Sequence, residues 1–140
     1  MRLISLLPMP VIWLGYMAGG PNTKMYFYES AAWLLAATAS GAPSVQTPHS
    51  AKAVKIDAFT PMECRFGVDM ATAAARYDRK QANDLVKKLL DKYESQIEHA
   101  PSGDRYQDCY DVTTGRPAEA YVRLVEEVKT ELSRMGISLA

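Results

Sequence analysis

At 140 residues with 48% hydrophobic content, the chain has the size of one small domain and enough apolar side chains to bury a core. Sixteen basic residues balance sixteen acidic ones and cluster nowhere, which excludes the electrostatic footprint of a nucleic-acid binder. Two cysteines, Cys64 and Cys109, and two histidines, His49 and His99, are too few and too scattered for a disulfide framework or a zinc centre; the thiols read as reduced and half-buried in a cytoplasmic protein.

The charge is unevenly placed. The first 50 residues carry only Arg2, Lys24 and Glu29, so the front of the chain is expected to be covered by a membrane, a partner chain or the rest of a larger fold. Residues 3 to 18 are nearly free of polar groups and are followed by Ala18, Gly19 and Gly20, the outline of a secretory signal peptide. Pro8 and Pro10 make the stretch a poor transmembrane helix. The competing reading is a buried strand over Val11 to Tyr16, ended by the Gly19-Gly20-Pro21 turn; residues 1 to 20 then form an apolar strand and turn.

Asn22 or Thr23 can cap a helix over 24 to 40, with Gly41 as its stop. Its apolar residues go nearly all the way round, so it reads as an inner helix needing more cover than this chain offers. Residues 42 to 58 read as irregular, with a short extended piece at Val54 to Ile56. Thr60, Pro61 and Glu63 form a capping box that starts a helix over 61 to 76. Asp78 caps a third helix over 79 to 98, with Val86, Leu89, Leu90, Tyr93 and Ile97 as its apolar stripe. After a short turn of helix near Arg105 to Cys109, the last helix is expected over 117 to 135, starting at Pro117 and buried through Tyr121, Leu124, Val125, Val128 and Leu132. The two charged C-terminal helices read as an outer layer.

No phosphate-binding glycine loop or nucleophile elbow is present. Asp108 and Asp111 flank Cys109 and Tyr110, which suggests either an activated thiol or, more simply, a tight turn with the carboxylates on backbone N–H groups. Glu98-His99 fits a helix C-terminus, His49 sits in a loop, and Tyr26-Phe27-Tyr28 reads as core. No catalytic residue and no metal ligand is assigned from the residues themselves.

Several stretches nonetheless resemble one family. Gly20-Pro21-Asn22-Thr23-Lys24-Met25 is followed by Glu29-Ser30-Ala31 and Thr38-Ala39-Ser40-Gly41; then come Ser50-Ala51-Lys52 and Met62-Glu63-x-Arg65; then Ala100-Pro101-x-Gly103 and Gln107-Asp108-Cys109-Tyr110-Asp111-Val112. In this order, over residues 16 to 139, they resemble the C-terminal end of the corrinoid-dependent, pyrrolysine-containing monomethylamine methyltransferases of methanogens. The resemblance implies a mainly α-helical piece carrying about one strand of an (α/β)8 TIM-type barrel, whose sites lie at the C-terminal strand ends. It implies transfer of the methyl group of monomethylamine to the Co(I) of a corrinoid held by a cognate partner protein, with no cofactor bound by this chain and no membrane partner. The family's pyrrolysine and acidic residues lie upstream of the matched part, so catalytic residues are expected to be absent and the chain inactive alone. One cavity position reaches into it. Where the family has Gln-Tyr-Tyr, this chain has Leu14, Gly15 and Tyr16, leaving Tyr16 as the single expected substrate-binding residue. The resemblance favours the strand over the signal peptide and makes the missing barrel, or a neighbouring copy, the cover for the first helix. Two other classes stay open: a helical interaction or oligomerisation module, and a small secreted helical protein.

Overall fold

The computed structural model describes residues 11–139, and the predicted features at Arg2, Pro8 and Pro10 lie outside them. Strand β1 (Ile12–Trp13), helix α1 (Lys24–Ala39) and strand β2 (Ser44–Val45) come first. The two strands pair in parallel, Ile12 with Ser44 and Trp13 with Val45. A β-strand, a helix and a parallel β-strand form the repeating unit of α/β folds, because a parallel partner is reachable only through a crossover. The ladder continues past the formal strands: the Gln46 N–H donates to Trp13 O at 2.9 Å, His49 to Gly15 O at 2.8 Å, Met17 to His49 O at 2.8 Å and Ala51 to Gly19 O at 2.9 Å. The stretch expected as strand is therefore extended and paired well beyond its first two residues.

The rest is helical: α2 (Pro61–Ala74), α3 (Arg79–Tyr93), a 3-10 stretch over Glu94–His99, the single turn α4 (Tyr106–Cys109) and α5 (Glu119–Arg134). Three starts follow from side chains that satisfy orphan N–H groups. The Thr23 hydroxyl accepts from the Tyr26 N–H. Thr60 and Glu63 close the capping box of α2, with Pro61 in its first turn, and Asp78 and Gln81 close that of α3.

Several expectations are corrected, beyond the ends of α1 and α5, which fall one residue short at Ala39 and Arg134. Helix α2 ends at Ala74 rather than 76. Within α3 the buried face is Ala82, Leu85, Leu89 and Tyr93 while Val86 and Leu90 are half-buried, and the chain tightens to 3-10 geometry from Glu94, leaving Ile97 exposed. Pro117 does not begin α5. It pairs across an antiparallel bridge with Tyr110, where its missing N–H is harmless, and the Ala118 N–H donates to Cys109 O at 2.7 Å before the helix starts. Val54 to Ile56 is not extended. It follows a tight turn at Ala51–Ala53 in which all three residues have positive φ (47°, 55° and 58°).

The largest correction concerns α1. Its 16 residues include 11 that are buried, and its own chain buries them. Phe27 meets Phe66 of α2 edge-on at 4.9 Å and Tyr121 of α5 at 6.3 Å, while α3 lies along the other flank. The apolar girdle of α1 thus says nothing about missing cover. Exposed apolar surface sits instead on the sheet: Ile12 is 60% exposed, Leu14 38% and Tyr16 58%. Successive side chains of an extended strand alternate faces, and here Trp13, Gly15 and Met17 turn toward the helices while the alternate set faces outward, on a sheet that among the described residues has two strands and no cover on that side.

Candidate functional site

The C-terminal ends of β1 and β2 carry the most unusual local chemistry. Tyr16 stands on the outward face and its ring stacks on His49, with centroids 6.0 Å apart and planes 22° apart. Phe59 approaches His49 as well, with centroids 5.0 Å apart. Tyr16 and His49 are bridged through their backbones as parallel partners. Leu14 shares the Tyr16 face and presents an aliphatic surface beside it.

Behind this face the strand ends are fastened by two buried carboxyl groups. Glu29 of α1 accepts the N–H groups of Ala18 and Gly19 at 3.2 and 2.8 Å. Burial raises its pKa, and those two donors work against the shift. Glu63, fully buried, accepts from the Thr60 N–H at 2.8 Å and faces the Ser50 hydroxyl at 3.5 Å, while its Oε1 has no protein partner. Burial pushes its pKa up to about 8, with the Thr60 and Ser50 hydrogen bonds opposing. The Ser50 hydroxyl also bonds the Ala58 carbonyl, closing the loop that follows β2. Thr60 Oγ1 and the Tyr121 hydroxyl lie 2.9 Å apart and tie this loop to α5.

The turn motif at Gly20 is locked by the segment at Gly103. The Gly20 N–H donates to Pro101 O at 2.9 Å, Asp104 to Pro21 O at 3.0 Å, and Asn22 Nδ2 to Asp104 Oδ2 at 2.7 Å. A Cβ on Gly20 would run into the Ser102 carbonyl, and one on Gly103 into the Pro21 backbone. Two motifs far apart in the chain are thus one contact in space, and glycine is required on both sides of it.

Other sequence candidates resolve as structure. Asp111 Oδ1 accepts the N–H groups of Thr113 and Thr114 at 2.8 and 3.0 Å, Asp108 accepts that of Arg105 at 3.2 Å, and Cys109 is buried between them. That is the turn, and burial pushes the Cys109 thiol up to about 12, the reverse of activation. Tyr26 donates to Pro48 O at 2.7 Å from the core, and Tyr28 to Glu131 at 2.7 Å. His99 ends the exposed 3-10 stretch. Among the described residues no three His, Cys, Asp or Glu side chains are grouped to hold a metal ion, and no helix is long and apolar enough to cross a membrane. The family resemblance singled out Tyr16, while His49 read as a plain loop residue, Glu29 only as part of a motif, and Phe59 carried no reading. The available signal was position: His49 directly precedes the Ser50-Ala51-Lys52 motif, and Glu29 opens the Glu29-Ser30-Ala31 one.

Residues 13–137 match the family model described as monomethylamine methyltransferase MtmB. The chain is 34% identical over 122 residues to monomethylamine methyltransferase MtmB2 of Methanosarcina acetivorans and MtmB1 of Methanosarcina barkeri, which covers 87% of the chain and 27% of each relative. It is similar to the crystal structure of the Methanosarcina barkeri monomethylamine methyltransferase (33% identity, TM-score 0.82) and to that of the hydroxylamine MtmB complex (33%, 0.83), over 89% of this chain and 27% of those. The chain thus spans little more than a quarter of the length of the proteins it matches.

Proposed function

The chain belongs to the monomethylamine methyltransferase family, and from that premise we propose that it forms the C-terminal part of a monomethylamine:corrinoid protein methyltransferase. In this reading β1, α1 and β2 are one βα unit of a TIM-type barrel and the outward face of the sheet is barrel interior. The observation that carries it is the uncovered row Ile12, Leu14 and Tyr16 on a parallel strand. A parallel sheet is ordinarily covered on both faces, and among the described residues only one face is covered. Tyr16, at the C-terminal end of that strand, offers one phenolic O–H as donor and acceptor toward the methylamine-derived group. Leu14 beside it supplies an apolar wall. Glu29 and Glu63 act below the surface, holding the strand ends in place. The methyl acceptor is the Co(I) corrinoid carried by a separate partner protein, and the chemistry of methyl capture belongs to residues supplied outside these 140. The 140 residues on their own are expected to give no turnover.

The test is a chimera in which this chain replaces the matching C-terminal portion of the Methanosarcina barkeri relative, assayed by loss of the Co(I) absorption of the corrinoid protein on adding monomethylamine. The chimera is expected to turn over, the chain alone is not, and Tyr16→Phe in the chimera is expected to lower kcat/KM by about tenfold, the effect of roughly one hydrogen bond in the transition state. Turnover by the chain alone would overturn the shared-site reading; a folded but inactive chimera would overturn the family function.

A further inference from the structure

We propose that His49 is a positioning residue that fixes the ring of Tyr16 at the substrate end of β1. The inference rests on the reading of Tyr16 given above and concerns a residue that the family motifs leave unassigned.

Tyr16 needs such a partner. It is one of the most exposed large side chains of the sheet, and a phenol free to change rotamer cannot present its O–H in one place. Errors of about 1 Å in a positioned group can cost on the order of 10²-fold in rate. Among the described residues, the ring that meets Tyr16 is His49. Their nearly parallel, offset arrangement is a favourable geometry for aromatic pairs.

The pair is imposed by the main chain. The N–H of His49 donates to Gly15 O and its carbonyl accepts from the Met17 N–H, each at 2.8 Å, so the residues on either side of Tyr16 clasp His49. Register alone sets the two rings side by side. Gly15 contributes a second constraint, because a Cβ there would strike the indole of Trp33. The strand can therefore lie close on α1 and keep Tyr16 on the opposite face.

His49 has a second aromatic neighbour. Phe59 leans on it at 5.0 Å and reaches that place because the chain reverses immediately after Ser50. Ala51, Lys52 and Ala53 all take left-handed backbone conformations, which are strained in non-glycine residues. Such conformations persist when surrounding contacts over-determine them. Here the Ser50–Ala58 hydrogen bond and the buried Glu63 beneath it supply those contacts. A strained turn is thus maintained where its visible consequence is that His49 contacts two rings, Phe59 and the exposed Tyr16.

The experiment compares His49→Ala, His49→Phe and His49→Gln in the full chain with 13C-labelled tyrosine, the Tyr16 signals being assigned by their loss in Tyr16→Phe. In His49→Ala the order parameter of the Tyr16 ring is expected to fall below about 0.6, with amide dispersion and Tm retained, and His49→Phe is expected to restore it. In the chimera, His49→Ala is expected to lower kcat about tenfold with little change in KM, and His49→Phe to recover most of the loss. An unchanged Tyr16 ring in His49→Ala would overturn the inference. So would recovery by Gln but not Phe, since His49 would then act through its polar atoms. The underlying reading fails separately: if Tyr16→Phe leaves turnover intact, Tyr16 is not a substrate contact, whatever the ring-order data say of His49.

Discussion

The helical layer and the sheet face of this chain obey opposite rules. Around α1 the apolar residues are enclosed by α2, α3 and α5, and the hydroxyls of Tyr26, Tyr28 and Tyr121 have partners. Across β1 and β2 one side is closed and the other is bare among the described residues: apolar side chains face outward, and three consecutive residues in the turn that follows β2 are strained. Stability is concentrated in the first region, while the second is held in shape from below by Glu29 and Glu63. A surface that must meet something else cannot also bury itself, so the scaffold carries the free energy and the face carries the geometry.

The sharpest way to break this contrast is to truncate one ring in each region. Phe66 is buried against Phe27, and Phe66→Ala is expected to cost about 3–5 kcal/mol, the transfer and cavity terms together. Tyr16→Ala is expected to cost less than about 1 kcal/mol, because little area returns to water. Urea unfolding of both variants checks this. Equal losses would mean that the sheet face is part of the core.

The next effect separates scaffold from face by pH. Glu63 has an ordinary pKa of 4.5, and in the folded protein it is raised to about 8 by burial. Between these values the folded chain holds a proton that the unfolded chain has released. Its contribution to stability is therefore complete below about pH 4.5 and is lost as pH rises through about 8. Tm is expected to fall across that range and the fall to flatten in Glu63→Gln. Because Glu63 touches Ser50 and Thr60, the loosening should appear first in hydrogen exchange of the loop after β2. A wild-type Tm that rises from pH 5 to 8 would show that the carboxyl is ionised and satisfied.

How much of this was legible in the sequence follows the same division. The helices announce themselves locally: Thr60-Pro61-x-Glu63 and Asp78-x-x-Gln81 are complete start signals within four residues, and both are used. The buried face of α5 was readable from its period, with Tyr121, Val125, Val128 and Leu132 inward. The start of α5 was misread because Pro117 fits a first helical turn equally well as a bridge residue, and only the Cys109 carbonyl decides between them. β2 was unreadable: Ser44–Val45 has no alternating pattern, and its pairing is fixed by a strand on the far side of α1. The left-handed run at Ala51–Ala53 contains no glycine or asparagine to signal it. His49 had no meaning until register placed it beside Tyr16. The expectation that α1 required outside cover failed because a helix apolar on all sides can be enclosed by three helices of its own chain.

The smallest effect probes whether the outer helices are fastened to α1 by charge as well as by packing. Glu131 of α5 is a hub: it accepts from the Tyr28 hydroxyl at 2.7 Å and pairs with Lys24 at 3.0 Å and Lys92 at 3.1 Å, so one carboxylate joins α1, α3 and α5. The Tyr28 hydroxyl, then Lys24, hold its pKa down at about 2. Its contribution is present above pH 4.5 and is lost as pH falls toward 2, the opposite sense to Glu63. Half-exposed lysines such as Lys24 and Lys92 add little each, about 0.2–1 kcal/mol, and less at high salt. The Tyr28 hydroxyl is shielded by a buried ring and should dominate. Glu131→Gln is therefore expected to cost about 1–2 kcal/mol, with most of that loss surviving in 0.5 M salt. A double-mutant cycle with Tyr28→Phe is expected to show larger coupling than one with Lys92→Ala. If salt alone abolished the effect, the hub would be a surface ion cluster and the helices would be held by their apolar faces.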